Sequence, residues 1–562
     1  MDVETSPLLQ VIGYHQETKH HFFRYARSLG YLDWANQPDP FRRFTGSPLV
    51  PLPRPTPEDE PSSPGYHDLY RAGAVRPQPL TLQSVSRFLD HALAITAWKQ
   101  AGESRWALRS NPSSGNLHPT EGYVLLPAVP ELADDAALYH YTSRVHALER
   151  RADCPAEVAD LLLNPFPPGA FLFGLTSIHW REAWKYGERA FRYCQHDAGH
   201  AIGAARIAAA TLGWSLLLLE NVSDDQLLEL LGLNRQQDFA GVEREHPDCV
   251  AVVYPDDAGT GSLPLGLDAS AIRRLAAAHW HGTANRLSRD EPVAWDIIDV
   301  AAAATWKPPT THGEIARARH AAPSRSQEPD ERMRAAQIIR QRRSALAFDG
   351  KSTMAASRFY LMLGRTLPHA GLPLLDRPMP WDAVPWQPAI HLGMFVHRVE
   401  GIESGLYAFV RDPDALDSLR AAMHRHFAWQ RPAGCPDDLP LYLLEAGDAR
   451  RLAAQVSCHQ DIAGDSCFSL GMIADFESRL SADGAWFYRR LFWESGIIGQ
   501  VLYLEAEAAG LRATGIGCYF DDPVHQVFGL TDQRYQSLYH FTTGGPVDDP
   551  RLTTLPAYED GR

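Results

Sequence analysis

The chain of 562 residues has few cysteines, no long apolar run and no excess of positive charge. Its seven cysteines are widely scattered and none forms a Cys-x-x-Cys pair, so we expect mostly reduced thiols and neither a disulfide framework nor a zinc site. The 24 histidines show no metal-ligand spacing either. An apolar stretch of about 18 residues and an apolar N-terminal leader are both lacking, which predicts a cytoplasmic protein without a membrane span.

The balance of charge argues against one class of partner. The 53 basic residues are outnumbered by 68 acidic residues, which gives a net charge of −15. An acidic chain lacks the basic surface that a polyanion requires, so nucleic acid is not expected as a partner. Hydrophobic content of 45% and charged content of 22% are typical of a globular protein, and the length predicts several domains.

The most informative stretch is "RSNPSSGNLHPTE", from Arg109 to Glu121. Its two prolines remove backbone donors and its glycine tolerates a positive φ, so we expect a shaped loop rather than a helix or strand. Ser113, Ser114 and Asn116 offer hydrogen bonds to the polar edge of a flat ligand. From composition alone, a polar surface turn is an equally good interpretation.

Helix and strand patterns alternate along the chain, which predicts an α+β or α/β layered structure. An apolar face over residues 85–93 predicts a helix, "GYVLLPAV" predicts a buried strand, and "ALYHYTSRVHALE" predicts a hairpin. The segment 192–220 predicts a long helix that runs into an apolar strand. Before these, Phe22, Tyr25, Leu29 and Leu32 stand at helical spacing and predict a short helix, followed by a proline-rich strap over 48–64.

The chain also repeats itself, since segments 194–233 and 491–530 align without a gap. The equivalent positions are Gly199 with Gly496, Gly213 with Gly510, Asp224 and Asp225 with Asp521 and Asp522, and Gly232 with Gly529. "SRF" occurs at Ser86 and again at Ser357, and Leu-Tyr at Leu138 and again at Leu406. Repeats of this length are too long for a solenoid, so we predict two copies of one domain in tandem, as a fused pseudo-dimer.

A polar, proline-bearing segment separates the two copies. We predict an N-terminal arm at 1–70, a first domain at 71–260, a linker at 261–330 and a second domain at 331–555. Within the linker, the apolar residues around 297–304 predict a docked helix.

The loop from Arg109 to Glu121, which we call the Ser/Asn loop, closely resembles the flavin-binding loop of the nitroreductase superfamily. The likeness is greatest to the SagB/ThcOx-type dehydrogenases, which oxidise azoline rings in modified peptides. This resemblance implies FMN as the cofactor. It also implies an α+β fold of two tandem nitroreductase-like domains, each a mixed, mainly antiparallel sheet flanked by helices. In homodimers of this superfamily, each flavin lies between the Ser/Asn loop of one subunit and an Arg-x-Ser phosphate clamp and glycine-bearing loop of the other.

The two copies lack complementary parts of this set. The second copy has "RRS" at the clamp position and "TGIGC" after its long helix. The first copy has leucines in place of "TGI". Where the first copy has the Ser/Asn loop, the second copy reads "PWQPAIHLGMF". The resemblance therefore implies one complete FMN site per chain and a degenerate, empty symmetry-related site. In isolation, "RRS" is more often a solvated turn. The candidate cofactor-binding residues are Arg109, Pro112, Ser113, Ser114, Asn116, Arg342, Arg343, Ser344, Gly515, Ile516, Gly517 and, by a looser resemblance, Arg551.

A second motif, "KYGERAFRY", begins at Lys185 and Tyr186. In SagB-type dehydrogenases, a Lys-Tyr pair at this place is associated with removing a proton as hydride leaves to the flavin, so the resemblance implies that Lys185 and Tyr186 are catalytic. A lysine acts as a base only if burial or a neighbouring cation lowers its pKa. Without the resemblance, a salt-bridging surface lysine beside a core tyrosine is the better interpretation.

Three classes of function remain open. The Lys-Tyr pair favours an FMN-dependent dehydrogenase or oxidase that acts on a heterocycle in a peptide or similar natural product. The second class is a reductase of nitro or quinone compounds with NAD(P)H as reductant, since this superfamily binds nicotinamide without a dinucleotide fingerprint. The third is a flavin-binding scaffold without turnover. A fused pseudo-dimer completes its own flavin site, yet further oligomerisation stays open.

Overall fold

The computed structural model describes residues 6–54, 62–256, 261–291, 293–311, 313–317, 333–369 and 371–558. Secondary structure falls into two halves, 6–317 and 333–558, each built around one large sheet. Parts of the predicted arm, strap, first domain and linker (1–5, 55–61, 257–260 and 318–330) lie outside the described residues. Within the described ranges, no helix combines the length and the apolar character needed to cross a bilayer.

The first half begins at Ser6, whose hydroxyl caps the first helix. Its helices are α1 (Pro7–Glu17), α2 (Leu82–Leu93), α3 (Ala156–Leu163), α4 (His179–Tyr186), α5 (Ala190–Ala210), α6 (Asp224–Leu231), α7 (Ala269–Ala276) and α8 (Asp296–Ala304). Its strands are β1 (Phe44–Thr45), β2 (Leu49–Pro51), β3 (Ile95–Ala101), β4 (Ser104–Arg109), β5 (Thr120–Leu126), β6 (Ala137–Thr142), β7 (Ala147–Asp153), β8 (Phe171–Ser177), β9 (Trp214–Leu218), β10 (His246–Pro255), β11 (Ser262–Leu263), β12 (Thr283–Ala284) and β13 (Ile315–Ala316).

The second half repeats much of this element order. Its helices are α9 (Ala335–Gln341), α10 (Ala356–Arg365), α11 (Leu416–Ala422), α12 (Arg450–Val456), α13 (Asp461–Gly464), α14 (Phe476–Asp483), α15 (Phe487–Ala508) and α16 (Asp521–Phe528). Its strands are β14 (Met354–Ala355), β15 (Ile390–Val396), β16 (Val399–Glu400), β17 (Gly405–Phe409), β18 (Leu441–Ala446), β19 (Phe468–Asp475), β20 (Arg512–Ile516), β21 (Tyr535–Gly544) and β22 (Thr553–Leu555).

The two large sheets share one strand order. The first runs β2-β7-β6-β5-β8-β10-β9 and the second runs β18-β17-β15-β19-β21-β20, with antiparallel neighbours throughout. Apart from the extra edge strand β2, every strand of the first sheet therefore has a counterpart in the second. All residues of β5, β8 and β15 are buried, which explains their continuous apolar runs. The predicted α+β fold with mainly antiparallel sheets is confirmed.

A small third sheet, β22-β3-β4, joins the C-terminal end of the chain to the first half. Thr554 pairs with Lys99 across it, and the Lys99 ammonium donates to the Thr554 hydroxyl at 2.7 Å. The last strand of the chain therefore packs against a hairpin that precedes the Ser/Asn loop.

The long helices α5 and α15 cross at the centre of the molecule. A Cβ atom on Gly199 would lie 2.4 Å from the Trp493 carbonyl oxygen, and one on Gly496 would lie 2.4 Å from the His196 carbonyl oxygen. Only glycine permits so close a backbone approach. The two glycines that the repeat aligns thus meet at the crossing of the helices.

Two buried ion pairs connect the halves reciprocally. Arg192 on α5 lies 2.8 Å from Asp521 at the start of α16, and Arg489 on α15 lies 2.6 Å from Asp224 at the start of α6. In the repeat alignment Asp521 corresponds to Asp224, and Arg192 and Arg489 stand at equivalent positions two residues before the aligned segments. Contacts of residue i with j and of j with i are those of a two-fold interface.

Most local predictions are confirmed, including α2, the strand β5, the hairpin β6–β7, the segment α5–β9 and the linker helix α8. The helix predicted through Phe22, Tyr25, Leu29 and Leu32 is wrong, because those residues form an irregular segment and the helix of the arm is α1. Phe22 and Tyr25 instead pack on Phe520, with ring centroids 4.8 and 5.8 Å away. Their spacing reflects contact with the second half.

Candidate active site

A cavity of about 960 Å³ lies between the two halves. From the first half it is lined by β4 and the loop that follows. From the second half it is lined by segment 340–346 after α9, by β20 and the residues after it, and by residues of the C-terminal stretch 546–554. It is therefore built from stretches of both halves that are distant in sequence.

The pseudo-equivalent place on the other side holds a cleft of only about 30 Å³. There Leu218 and Glu220 take the positions that Gly515 and Gly517 have in the repeat alignment. Glu220 forms a buried ion pair with Arg490, whose guanidinium also lies over the Trp386 ring at 4.7 Å. Large side chains thus fill most of the cleft on this side.

The Ser/Asn loop has an unusual backbone held by specific hydrogen bonds. Asn116 and His118 have φ angles of 60° and 53°, which non-glycine residues rarely adopt outside functional or tightly held turns. The amide and the hydroxyl of Ser114 each donate to an oxygen of Asp197 on α5 at 2.9 Å. The Asn116 side-chain amide donates to a carbonyl of β4 at 2.8 Å, and the Ser113 hydroxyl accepts the His118 amide at 2.8 Å. The loop is therefore fixed rather than a solvated turn.

The carboxyl group of Asp197 is buried, and this burial raises its pKa from 3.8 to about 7 although the loop serines hydrogen-bond to it. The repeat alignment pairs Asp197 with Glu494, which accepts two backbone amides just before and within β15 and pairs with Arg411. Both long helices therefore present a carboxyl group to the segment before the central strand. Among the described residues, only Glu494 of the two carries an arginine partner.

One end of the cavity is strongly cationic. Arg342 is 4% exposed; its Nη2 donates to the Arg109 carbonyl at 2.8 Å, and its Nε has no partner among the described atoms. Glu507 lies nearby, but burial raises its pKa. The other cationic residues that line the cavity are Lys99, Arg109, Arg340, Arg343 and Arg512. A buried guanidinium without a described carboxylate partner fits an anionic ligand, because an arginine remains charged in proteins.

Tyr503 connects this end to the glycine-bearing strand. Its hydroxyl hydrogen-bonds with the Ser344 hydroxyl and accepts the Gly515 amide, both at 2.9 Å. Its ring lies 5.1 Å from the Arg342 guanidinium. The "RRS" segment is therefore fixed against β20, which it also meets through a parallel bridge from Ser344 to Ala513.

The glycines of β20 and its continuation are required by two tyrosines. A Cβ atom on Gly515 would lie 1.9 Å from the Tyr539 hydroxyl, and one on Gly517 would lie 2.0 Å from the ring of Tyr193. Neither overlap is compatible with a side chain at these positions. The glycines let both tyrosines lie directly against the strand at the cavity wall.

Lys185 and Tyr186, at the end of α4, converge on the Ser/Asn loop. The Tyr186 hydroxyl lies 2.5 Å, and the Lys185 ammonium 3.0 Å, from the place that a Cβ of Gly115 would occupy. One turn earlier, the buried carboxyl of Glu182 has no hydrogen-bond partner among the described atoms, and burial together with Asp197 raises its pKa well above the ordinary value. Burial and Glu182 also raise the pKa of Tyr186. The Lys-Tyr pair therefore adjoins two protonatable carboxyl groups.

The structure brings most predicted site residues together. Those that line the cavity are Arg109, Pro112, Ser113, Ser114, Asn116, Tyr186, Arg342, Arg343, Ser344, Gly515, Ile516 and Gly517. Lys185 is adjacent through Gly115, but Arg551 is not brought to the cavity. Its side chain is 85% exposed and pairs with Asp549, two residues before it, at 2.7 Å.

Several lining residues were not predicted from the sequence. They are Lys99, Tyr193, Asp197, Tyr503, Arg512, Cys518 and Tyr539. Of these residues, only Asp197 could have been found from the sequence, because the internal repeat aligns it with another acidic residue, Glu494. The tyrosines stand in apolar helices and strands, where nothing in the sequence separates a cavity wall from a core.

Part of the first half is similar to a known family. Residues 74–242 match the nitroreductase family model, and this match supports an oxidoreductase domain there. Proteins of this family generally use a flavin cofactor. A Methanocaldococcus jannaschii protein named as a nitroreductase is 24% identical over 160 residues, which cover 27% of this chain and 75% of that protein.

A solved structure from Anabaena variabilis, also described as a nitroreductase, is similar over both halves. It has a TM-score of 0.61 and 19% identity, and the match covers 96% of this chain and 99% of that one. This likeness confirms the fold over nearly the whole length.

Proposed function

We propose that the protein is an FMN-dependent oxidoreductase that dehydrogenates a heterocycle in a peptide or similar natural product, at one composite site per chain. The observation that carries the proposal is the cavity of about 960 Å³, because its lining joins the Ser/Asn loop of one half to the "RRS" segment and glycine strand of the other. Its volume is near the upper end of the range of about 300–1,000 Å³ for ligand pockets, which suits a cofactor together with a substrate.

The cationic end fits the phosphate of FMN. Arg342 would bind it through the Nε that lacks a partner among the described atoms, and the Ser344 hydroxyl lies within the same wall. Arg343 and Arg512 would add charge around the dianion. In an acidic protein, this local excess of cations is the feature that most favours an anionic cofactor.

The other walls fit a flat ring with a polar edge. Ser113, Ser114 and Asn116 present hydroxyl and amide groups, and Asn111 lines the cavity with a buried side-chain oxygen that has no partner among the described atoms. FMN, when bound, would supply the group that accepts hydride. Since Tyr503 already takes the Gly515 amide, a backbone donor to the ring must come from the residues after it.

A single site per chain follows from the contrast between the two clefts. About 960 Å³ is open on one side and about 30 Å³ on the other, where an Arg-Glu pair and a tryptophan occupy the space. We infer that the chain is a fused pseudo-dimer in which one of two original sites has been closed. The shared strand order and the reciprocal ion pairs support this inference.

Lys185 and Tyr186 are the residues we propose to handle the substrate proton. They lie at the Ser/Asn loop rather than at the cationic end: Tyr186 lines the cavity there, and Lys185 is adjacent to it through Gly115. Glu182, on the same face of α4, is a buried carboxyl group through which a proton could be relayed. Tyr186 would orient the substrate or pass the proton, since its raised pKa keeps the phenol protonated.

Stoichiometry tests the composite site. The purified protein should carry about one FMN per chain, measured from flavin absorbance against protein concentration. Two flavins per chain would overturn the argument that the second cleft is closed. No bound flavin, even after incubation with FMN, would overturn the cofactor assignment itself.

A reductase of nitro or quinone compounds is the second candidate, favoured by the match to the nitroreductase family. Anaerobic stopped-flow mixing with NADPH, or with an azoline-containing peptide, separates the two. Rapid flavin reduction by the peptide and not by NADPH supports the dehydrogenase, and the reverse result supports the reductase. A chain that binds FMN but is reduced by neither would be a scaffold.

A further inference from the structure

Cys458 and Cys518 lie side by side at the edge of the cavity, although 60 residues separate them in the sequence. Their Sγ atoms are 2.8 Å apart. Cys518 lines the cavity directly after Gly517, and Gln460, another lining residue, donates to the Cys518 carbonyl at 3.0 Å. Both thiols are half-buried. The fold thus brings together two cysteines whose contact is not predicted by their spacing in the sequence.

The turn that presents Cys458 has a strained backbone. Cys458 and His459, just after α12, have φ angles of 55° and 57°. Consecutive non-glycine residues in the left-handed region are rare and persist only where the surrounding structure holds them. Phe22 and Tyr25 of the arm pack over this turn and over Phe520. The conformation brings the Cys458 sulfur against Cys518.

The electrostatic surroundings make the two thiols unequal. Arg189 lies beside Cys518, since its Nη2 donates to the Gly517 carbonyl at 3.2 Å. The contact with Cys458 and the charge of Arg189 lower the pKa of Cys518. The contact with Cys518 and burial raise the pKa of Cys458. Two neighbouring thiols of unequal acidity are the arrangement found in reactive dithiols.

We propose that Cys458 and Cys518 are a redox-active dithiol that closes to a disulfide, reacts with small external disulfides and exchanges electrons with the bound cofactor. Closure needs little movement, because a disulfide bond of about 2.05 Å replaces a sulfur contact that is already short. The external partner is a small disulfide, because the arm residues Phe22 and Tyr25 cover the half-buried pair.

The exchange balances in three steps. The Cys458–Cys518 disulfide takes up two electrons and two protons, its S–S bond breaks and two thiols form, with both electrons given by the reduced cofactor. The Cys518 thiolate then attacks the external disulfide and releases one external thiol. Cys458 resolves the mixed disulfide and releases the second thiol. Only the first step rests on the proposed function.

Oxidised glutathione tests the pair without any cofactor. After treatment of the flavin-free protein, alkylation and peptide mass mapping should show a Cys458–Cys518 disulfide. Cys435 serves as the control, because it is also half-buried but has no described cysteine neighbour, and it should remain alkylated. Alkylation of both Cys458 and Cys518, or glutathione left on each, would overturn the proposal.

Counting electrons tests the exchange with the cofactor. In an anaerobic dithionite titration, pre-oxidised, FMN-loaded protein should take up four electrons per chain, two of them as new thiols at Cys458 and Cys518. Cys458→Ser should take up two and Cys435→Ser should take up four. Uptake of two electrons by the oxidised wild-type protein would overturn the exchange, and this measurement needs no variant to fold.

The two tests separate this inference from the proposed function. A protein that binds FMN but forms no disulfide overturns the inference alone. A protein that forms the disulfide but binds no FMN overturns the cofactor assignment, and with it the first step, while the exchange with external disulfides stands.

Discussion

Replacing Arg342 by glutamine removes the best-placed cation of the cavity. Its Nη2 is used by the Arg109 carbonyl, but its Nε has no partner among the described atoms, so the change removes one available donor together with the charge. A hydrogen bond to a charged group is worth about 1.5–3 kcal/mol. Since about 1.4 kcal/mol is a tenfold change, the Kd for FMN should rise about 10- to 100-fold.

Arg377 offers a matched control in the second half. It is also buried, at 7% exposed against 4% for Arg342, donates to the carbonyls of Val384 and Trp386, and has an Nε without a partner among the described atoms. It does not line the cavity. Arg377→Gln should therefore lower the unfolding midpoint about as much as Arg342→Gln does, without weakening FMN binding.

The assay is quenching of FMN fluorescence on titration with flavin-free protein at fixed salt, accompanied by thermal unfolding of each variant. FMN binding by Arg342→Gln as tight as that of the wild type would show that Arg342 does not hold the phosphate. Equal weakening of FMN binding in both variants would have the same meaning, because the effect would then come from the loss of a buried arginine rather than of a phosphate ligand.

Other parts of the site give separate expectations. Lys185→Met combined with Tyr186→Phe keeps the side-chain volume, so the protein should still bind flavin. Substrate-driven flavin reduction should slow about 10²–10⁴-fold, while reduction by dithionite is unchanged. Normal turnover of an azoline substrate would exclude Lys185 and Tyr186 from the mechanism. The pKa of Asp197 is raised from 3.8 to about 7, so between these values the folded state keeps a proton on this carboxyl that the unfolded state has lost. The stability of the folded state therefore falls as pH rises from about 4 through 7. Relative to Asp197→Asn, the flavin-free wild type should therefore lose up to about 4 kcal/mol of unfolding free energy over that range, measured by denaturant titration. A difference in unfolding free energy between the two proteins that stays constant with pH would contradict this.

The internal repeat in the sequence predicts much of the fold. Gly199 and Gly496 align in sequence and meet in space, because a glycine in a long helix is costly unless another backbone approaches it. The prolines and the glycine of the Ser/Asn loop predict a shaped loop, because they restrict the backbone locally. The place of this loop and of the "RRS" segment at a flavin site was implied only by the family resemblance, because composition equally allows a surface turn for the first and favours a solvated turn for the second. Local rules therefore predicted the elements, and the resemblance predicted the two principal walls of the cavity.

Contacts between distant residues escaped prediction for a physical reason. Asp197 holds Ser114 across 83 residues, and no local rule sets that distance. The aromatic spacing at Phe22 and Tyr25 predicts a helix there, whereas Ser6 as N-cap and Pro7 as first helical residue mark the actual helix α1. A loose family resemblance points to Arg551, but its neighbour Asp549 competes for the guanidinium.

The closing strand β22 has a consequence for the order of assembly. Thr554 of this strand lines the cavity together with Lys99 of the first half, and both belong to one small sheet. The cavity therefore lacks part of its wall until β22 has paired with β3, even when both large sheets have formed. We expect retention of a bound cofactor to report that this pairing is complete.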